Sequence, residues 1–308
     1  MSLPLPKRLQ PGDTVGIVST SSPTTPDALE RTKGYLEQRG YTVKVAPNVL
    51  ASFGFMAGTA QMRADDLNRM LRDPGIRMIV TSTGGRSAAH LLPLIDYGAI
   101  ASDPKIVIGL SDPSILLNAI TGVTGVPTFH GPNGYDFGHT QITGFSEENF
   151  WPIVSQDLDI PYVFPVSDKI KVVREGDIVE GRLYGGHLGT NQVLIGTRWA
   201  PDWKDSILFI EEMVVELDRT DAMLTHLRLA GILDAIRGLI VGQFVECKEG
   251  HVETLEDVLL RNCADYEFPI IANVPLGHTD DKITLPIGTC VRLNPVEASL
   301  ELLESPTC

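Results

Sequence analysis

The sequence predicts an α/β protein in two parts: an N-terminal doubly wound, mainly parallel sheet and a C-terminal α+β domain. Three observations predict it. Short β-rich apolar runs alternate with segments of helical spacing through the first half. The turns that follow those runs are rich in Gly, Ser and Pro. At 308 residues the chain is too long for one ordinary core and suits two domains.

The first strand is TVGIVS (14–19), ended by TSSP. A helix starts near Pro26, carries Ala28, Leu29, Tyr35 and Leu36 on its apolar side, and stops at Gly40. YTVKVAP is the second strand. TAQMRADDLNRMLRDPG is helical, with Met62, Leu67, Met70 and Leu71 on one face and a stop at DPG. RMIVTST is a strand, RSAAHLLPLIDY a short helix, KIVIGL a strand, PSILLNAI a helix and VPTFHG a strand. Strands joined by helices of this length imply right-handed crossovers. In such sheets function gathers at the carboxyl ends of the strands. The loops there read TSSP, TGGRS, SDPS and HGPNG, and all four are expected on one rim.

From about Trp151 to Val173 the pattern lapses, with three prolines and no sustained period. The expected division is therefore an N-terminal domain over 1–152, a connection over 153–173 and a C-terminal domain over 174–308. The last part holds EGRLYGGHLGTNQVLIGT, a strand SILFIEE, a helix RTDAMLTHLRLAGI and a strand GLIVGQF. A helix TLEDVLLRNCADY, the segment PIIANVPLGHT and closing strands near CVRLNP and SLELLE complete it.

A net charge of −14 argues against nucleic acid or an anionic membrane as partner, since both need a basic face. No apolar run is long enough to span a bilayer, and the N-terminus lacks the pattern of a signal peptide. Cys247, Cys263, Cys290 and Cys308 show no CxxC spacing, so reduced thiols in a cytoplasmic protein are expected. The histidines form no ligand cluster in sequence, and no metal or cofactor is expected.

Ser111 stands where the strand KIVIGL meets the helix PSILLNAI. There it is either a helix cap or a nucleophile raised at the sheet's edge. The α/β-hydrolase elbow G-x-S-x-G is disfavoured, because position 113 is proline. Even so, a strand–turn–helix junction puts the hydroxyl at a helix N-terminus, with the N–H of Asp112 free to face an oxyanion. A base and its orienting partner have candidates in the second half. SILFIEEM ends a strand on two carboxylates, Glu211 and Glu212, and NVPLGHTDDKITLPIG places His278 after a glycine in a loop that resumes as strand. Taken singly, each has an ordinary structural reading.

Jointly they carry a resemblance. LQPGDTVGIVSTSSP, MAGTAQMRADDLNRMLRDPGIRMIVTSTGG, LLPLIDY, GLSD, HGP, GRLYGGHLGT, ILFIEE and PLGHT with LPIG follow one another nearly end to end. In that order the chain resembles the LD-carboxypeptidase family, which includes the microcin C immunity peptidases. The resemblance implies a serine carboxypeptidase with Ser111 as nucleophile, His278 as general base and Glu211, rather than Glu212, orienting the histidine. It implies oxyanion donors from the backbone of Asp112 and of Gly85, with Gly84 as the alternative. The site would then lie in the cleft between the two domains, without metal or cofactor. A homodimer is the family expectation.

Members act on murein tetrapeptides, releasing D-alanine, or on aminoacyl or peptidyl nucleotides. The murein enzymes tend to carry an aromatic residue after the paired glycines, whereas TGGRS has Arg86 and Ser87 there. The chain is thus similar to the immunity branch, with a small peptide or aminoacyl-nucleotide substrate. Arg86 is a candidate for a substrate carboxylate or phosphate, and Tyr184, Trp199 or Trp203 for a nucleotide base. Murein carboxypeptidase activity is the alternative. A non-catalytic two-domain binding protein is the alternative of another class, in which Ser111, His278 and Glu211 would stay apart.

Overall fold

Strands of buried, mostly β-branched residues frame the protein in a computed structural model, whose described residues are 4–138, 142–165, 170–247 and 253–308. The first half holds β1 (Thr14–Val18), β2 (Thr42–Val45), β3 (Ile76–Thr81), β4 (Ile106–Gly109) and β5 (Thr128–His130). The second holds β6 (Tyr162–Val163), β7 (Lys171–Arg174), β8 (Val179–His187), β9 (Ile207–Met213) and β10 (Gly238–Val245). It closes with β11 (Ile270–Ala272), β12 (Leu285–Ile287), β13 (Cys290–Asn294) and β14 (Ser299–Leu302).

Strands β1 to β5 form a sheet in the order β5-β4-β3-β1-β2, and each neighbouring pair is parallel. Ile76, Met78, Ile79 and Val80 of β3 are all buried, on both faces, because helices cover the sheet on both sides. The helix Pro26–Gln38 is capped by Thr25, whose hydroxyl accepts from the Ala28 N–H. Thr59 caps Ala60–Arg72 in the same way, and that helix buries Leu67, Met70 and Leu71. Each of those side chains contributes about 2 kcal/mol of transfer free energy.

A second sheet runs β6-β14-β13-β8-β9-β10-β11-β7, with β8 to β11 parallel at its centre and antiparallel strands outside them. A parallel sheet followed by a mixed one is the fold class the sequence predicts. Two details differ from the local reading. RSAAHLLPLIDY is not one helix but a 3-10 turn, Ala88–Leu91, followed by a helix at Tyr97–Ser102. Pro93 offers no N–H to continue the first turn, and the Asp96 side chain caps a new start by accepting from the Ala99 N–H.

The second detail is the sheet that the strand after His278 joins. β12 joins the first sheet antiparallel to β5, with Leu285 opposite His130. A helix, Gly144–Ser155, also crosses the point where a connection at 153–173 is expected to begin. Residues 166–169 of that connection lie outside the described residues. No helix among the described residues is long and apolar enough to cross a membrane.

Candidate active site

β4 ends at Gly109, and two residues later Ser111 takes φ 69°, in the left-handed region. A non-glycine residue is disfavoured there by about 1–2 kcal/mol. The helix Ser114–Thr124 follows, and it has no side-chain cap; its first turn is held by the Ser114 N–H donating to the Ser111 carbonyl at 2.8 Å. The Ser111 hydroxyl is therefore not a helix cap. Nor is the Asp112 carboxylate. It is buried, and its Oδ2 accepts from Ser21 Oγ at 2.6 Å, the Ser87 N–H at 2.7 Å and the Ala88 N–H at 2.8 Å. One carboxylate thus ties the loops after β1, β3 and β4 into a single rim. Arg63 braces the rim from below, donating to the Thr20 carbonyl and to Ser87 Oγ.

The paired glycines of TGGRS lie against this serine. A Cβ built on Gly84 would stand 2.8 Å from Ser111 Cβ and 3.0 Å from its Oγ. Gly85, at φ 149°, lies against Ser22 and Ser21. Among the described residues the N–H groups of Gly85 and Asp112 donate to no protein group. Gly84→Ala is expected to displace Ser111 and lower kcat by about 10²-fold, the scale of a 1 Å misplacement. Overpacking of this kind costs about 1–3 kcal/mol, so the melting temperature should fall by only a few degrees, which a thermal scan beside the kinetics checks.

β9 delivers Glu211, wholly buried, and the loop after β11 delivers His278. His278 Nδ1 lies 2.6 Å from Glu211 Oε2. Gly277 makes the approach possible: at φ 93°, a Cβ there would fall 2.6 Å from that same oxygen. His130, buried at the end of β5, brings Nε2 to 3.7 Å from Glu211 Oε1, beyond hydrogen-bond range but close enough for electrostatic attraction. Burial alone would push the Glu211 pKa up. His130, His278 and the more distant His187 outweigh it and hold the carboxyl well below the usual range.

The neighbouring carboxylate takes a different histidine. Glu212 Oε1 is 2.8 Å from His187 Nε2, at the end of β8. Burial lowers the His187 pKa, but Glu212, Glu211 and Asp112 raise it overall. The rings of His187 and His278 meet edge to face, with centroids 5.3 Å apart. Among the described residues Ser111 Oγ makes no hydrogen bond to His278. Such bonds are often long without substrate and tighten in the complex.

The loop that carries His278 is pinned to the first half. Lys282 pairs with Asp136, both side chains nearly buried, and its N–H donates to Ser146 Oγ at 2.9 Å. Ser146 Oγ in turn donates to the Asp280 carbonyl at 2.8 Å. Lys282→Met strands a buried carboxylate and is expected to cost about 3–5 kcal/mol. Urea unfolding measures it, and a midpoint unchanged from wild type would refute it.

Arg86 is exposed on the rim. Tyr184 is buried and packs edge-on against Trp203, with centroids 6.0 Å apart, so its ring serves the core rather than a ligand. Trp199 and Trp203 are partly buried against the core, and the Arg198 guanidinium stacks on Trp199. No group of three or more His, Cys, Asp or Glu among the described residues is placed to hold a metal. The sequence reading misses His130 and His187. Each ends a strand beside glycine, in HGP and GGH, and that is the available sign.

Known proteins share the sequence pattern and the fold of this chain. The family model of the LD-carboxypeptidase N-terminal domain matches residues 15–131, and that of the C-terminal domain matches 180–293. A probable murein peptide carboxypeptidase of Bacillus subtilis is 31% identical over 296 residues, spanning 95% of this chain and 92% of that one. The microcin C7 self-immunity protein MccF of Escherichia coli is 29% identical over 310 residues, spanning 90% and 89%. The structure of MccF in complex with aspartyl sulfamoyl adenosine superposes with a TM-score of 0.93 at 26% identity, covering 99% of both chains. A muramoyltetrapeptide carboxypeptidase from Oxalobacter formigenes gives 0.81 at 26% identity, covering 93% and 98%.

Proposed function

Since the chain belongs to the LD-carboxypeptidase family and is a serine carboxypeptidase, we propose that Ser111, His278 and Glu211 are its nucleophile, base and orienter. The observation that carries this is the His278 Nδ1 bond to buried Glu211, which leaves Nε2 for a serine proton. Ser111 Oγ bonds to the scissile carbonyl carbon as its proton passes to His278 Nε2. The oxyanion is received by the free N–H groups of Asp112 and Gly85. Collapse breaks the carbon–nitrogen bond, and His278 returns the proton to the leaving nitrogen. Water, activated by the same base, then releases the acyl group.

The substrate in this reading is an aminoacyl or peptidyl nucleotide. Two observations favour it: the closer superposition on MccF, and Arg86 exposed on the rim where murein enzymes tend to place an aromatic residue. Arg86 suits a phosphate or carboxylate of such a ligand. The 31% identity to the Bacillus subtilis protein favours the second reading, release of D-alanine from a murein tetrapeptide. In either reading the enzyme works in the cytoplasm, the compartment expected from cysteines scattered without CxxC spacing, and as the homodimer expected of the family.

The test offers both substrates, a murein tetrapeptide and an aminoacyl sulfamoyl adenosine, to the purified protein and reads the products by mass spectrometry. Cleavage of the nucleotide conjugate alone is expected. Release of D-alanine instead would move the chain to the murein branch, and cleavage of neither would remove the proposal.

A further inference from the structure

Glu212 and His187 lie in the site but have no part in the reaction just proposed. His187 ends β8 with its side chain only 12% exposed. Its Nε2 meets Glu212 Oε1 at 2.8 Å, and the Thr190 N–H donates to its Nδ1 at 3.3 Å. With both nitrogens engaged, neither is left for a substrate. Glu212 is fixed in turn. The Gly189 N–H donates to its Oε2 at 2.7 Å, and the Met213 N–H to its Oε1 at 3.0 Å. Gly189 wraps so close that a Cβ there would stand 2.8 Å from Oε2.

What His187 offers the site is its ring. That ring packs against His278 with planes 80° apart. Among the described residues the His278 ring makes one hydrogen bond, at Nδ1. A hydrogen bond tolerates about 30° of bend with little loss, so this bond leaves the ring some room to turn about its Cβ–Cγ bond, and a second ring packed against it narrows that room. We propose that His187, locked by Glu212, is a positioning residue that holds the His278 imidazole with Nε2 turned toward Ser111.

The assignment rests on the triad proposed above. It also accounts for the paired glutamates. Successive side chains of a strand face opposite ways, so Glu211 can bond the base while Glu212 fixes the ring that braces it.

His187→Ala and His187→Phe in the full-length protein test this with two readouts. The first is kcat and KM on whichever substrate the wild type cleaves. The second is the downfield proton resonance of the His278 Nδ1–H shared with Glu211, assigned by its loss in His278→Gln. Alanine is expected to lower kcat about 10- to 100-fold with KM nearly unchanged, and to broaden the resonance. Phenylalanine restores the packed ring but not the bond to Glu212, and should recover part of both.

Alanine matching wild type in both readouts overturns the proposal. So does phenylalanine as impaired as alanine, because the ring contact would then not be what matters. Should alanine fail to fold, phenylalanine decides alone: a kcat within about 10-fold of wild type with the resonance retained supports the brace, and loss of both overturns it. The resonance needs no turnover. A wild type that cleaves neither substrate, yet shows the resonance responding as expected, would unseat the proposed reaction and leave the brace standing.

Discussion

Ser111→Ala is expected to lower kcat by about 10⁴- to 10⁶-fold, the scale on which a serine nucleophile acts with its base as one unit. The variant should still bind substrate, since only a hydroxyl is lost from a rim otherwise held by Asp112 and Arg63. Ser111→Gly should be equally inactive but more stable than Ser111→Ala. Serine and alanine both have to hold φ 69° against the clash of Cβ with the following carbonyl, and glycine does not. The gain is about 1 kcal/mol, or roughly 2 °C in a chain of this size. Thermal melts of the three proteins beside their kinetics check it. An alanine variant that retains activity would unseat Ser111, and a glycine variant melting below alanine would show that the turn carries no strain.

Glu211→Gln is expected to lower kcat by about 10⁴-fold, because an amide cannot hold His278 with its proton on Nδ1 and its lone pair toward the serine. It should also change how the protein responds to acid. The folded pKa of Glu211 is depressed by its histidines against the push of burial. Its unfolded value is near 4.3. A carboxyl whose folded pKa is the lower one stabilises the fold fully above the unfolded value, and that contribution is lost as the pH falls through the folded one. Wild-type stability should therefore decline below about pH 4.3, and part of that slope should be missing in Glu211→Gln. Urea midpoints from pH 7 down to pH 3 read the difference. Parallel curves for the two proteins would mean that Glu211 is not held ionised by its surroundings.

Much of this site is legible in the sequence because its parts end periodic elements. The run KIVIGL fixes where β4 stops, so the residue order alone puts Ser111 at a strand–helix junction. ILFIEE likewise places two carboxylates at the end of β9. Which of them meets His278 is not legible. Adjacent strand residues look alike in a hydropathy pattern, and the choice is made by Gly277 turning its bare Cα onto Glu211. His130 and His187 leave no periodic trace, since each is one residue at a strand end. Their roles come from strands that meet only in the folded chain, as where β8 lies beside β9 with His187 opposite Glu211. RSAAHLLPLIDY has apolar residues suited to a helix, yet one missing N–H at Pro93 outweighs that spacing. The strand after the His278 loop is legible, but not its place beside β5, since three residues carry no sign of which sheet they join.

That short strand sets an order on synthesis. As the protein leaves the ribosome, the N-terminal half emerges with the outer edge of β5 uncovered, and about half the chain is still to be made before β12 arrives to cover it. An open strand edge is a template for the wrong partner. A nascent chain stalled midway thus displays the serine beside a sticky edge, with neither of the residues proposed to activate it. Fast arrival of β12, or a chaperone holding the β5 edge until then, is expected to favour the active fold.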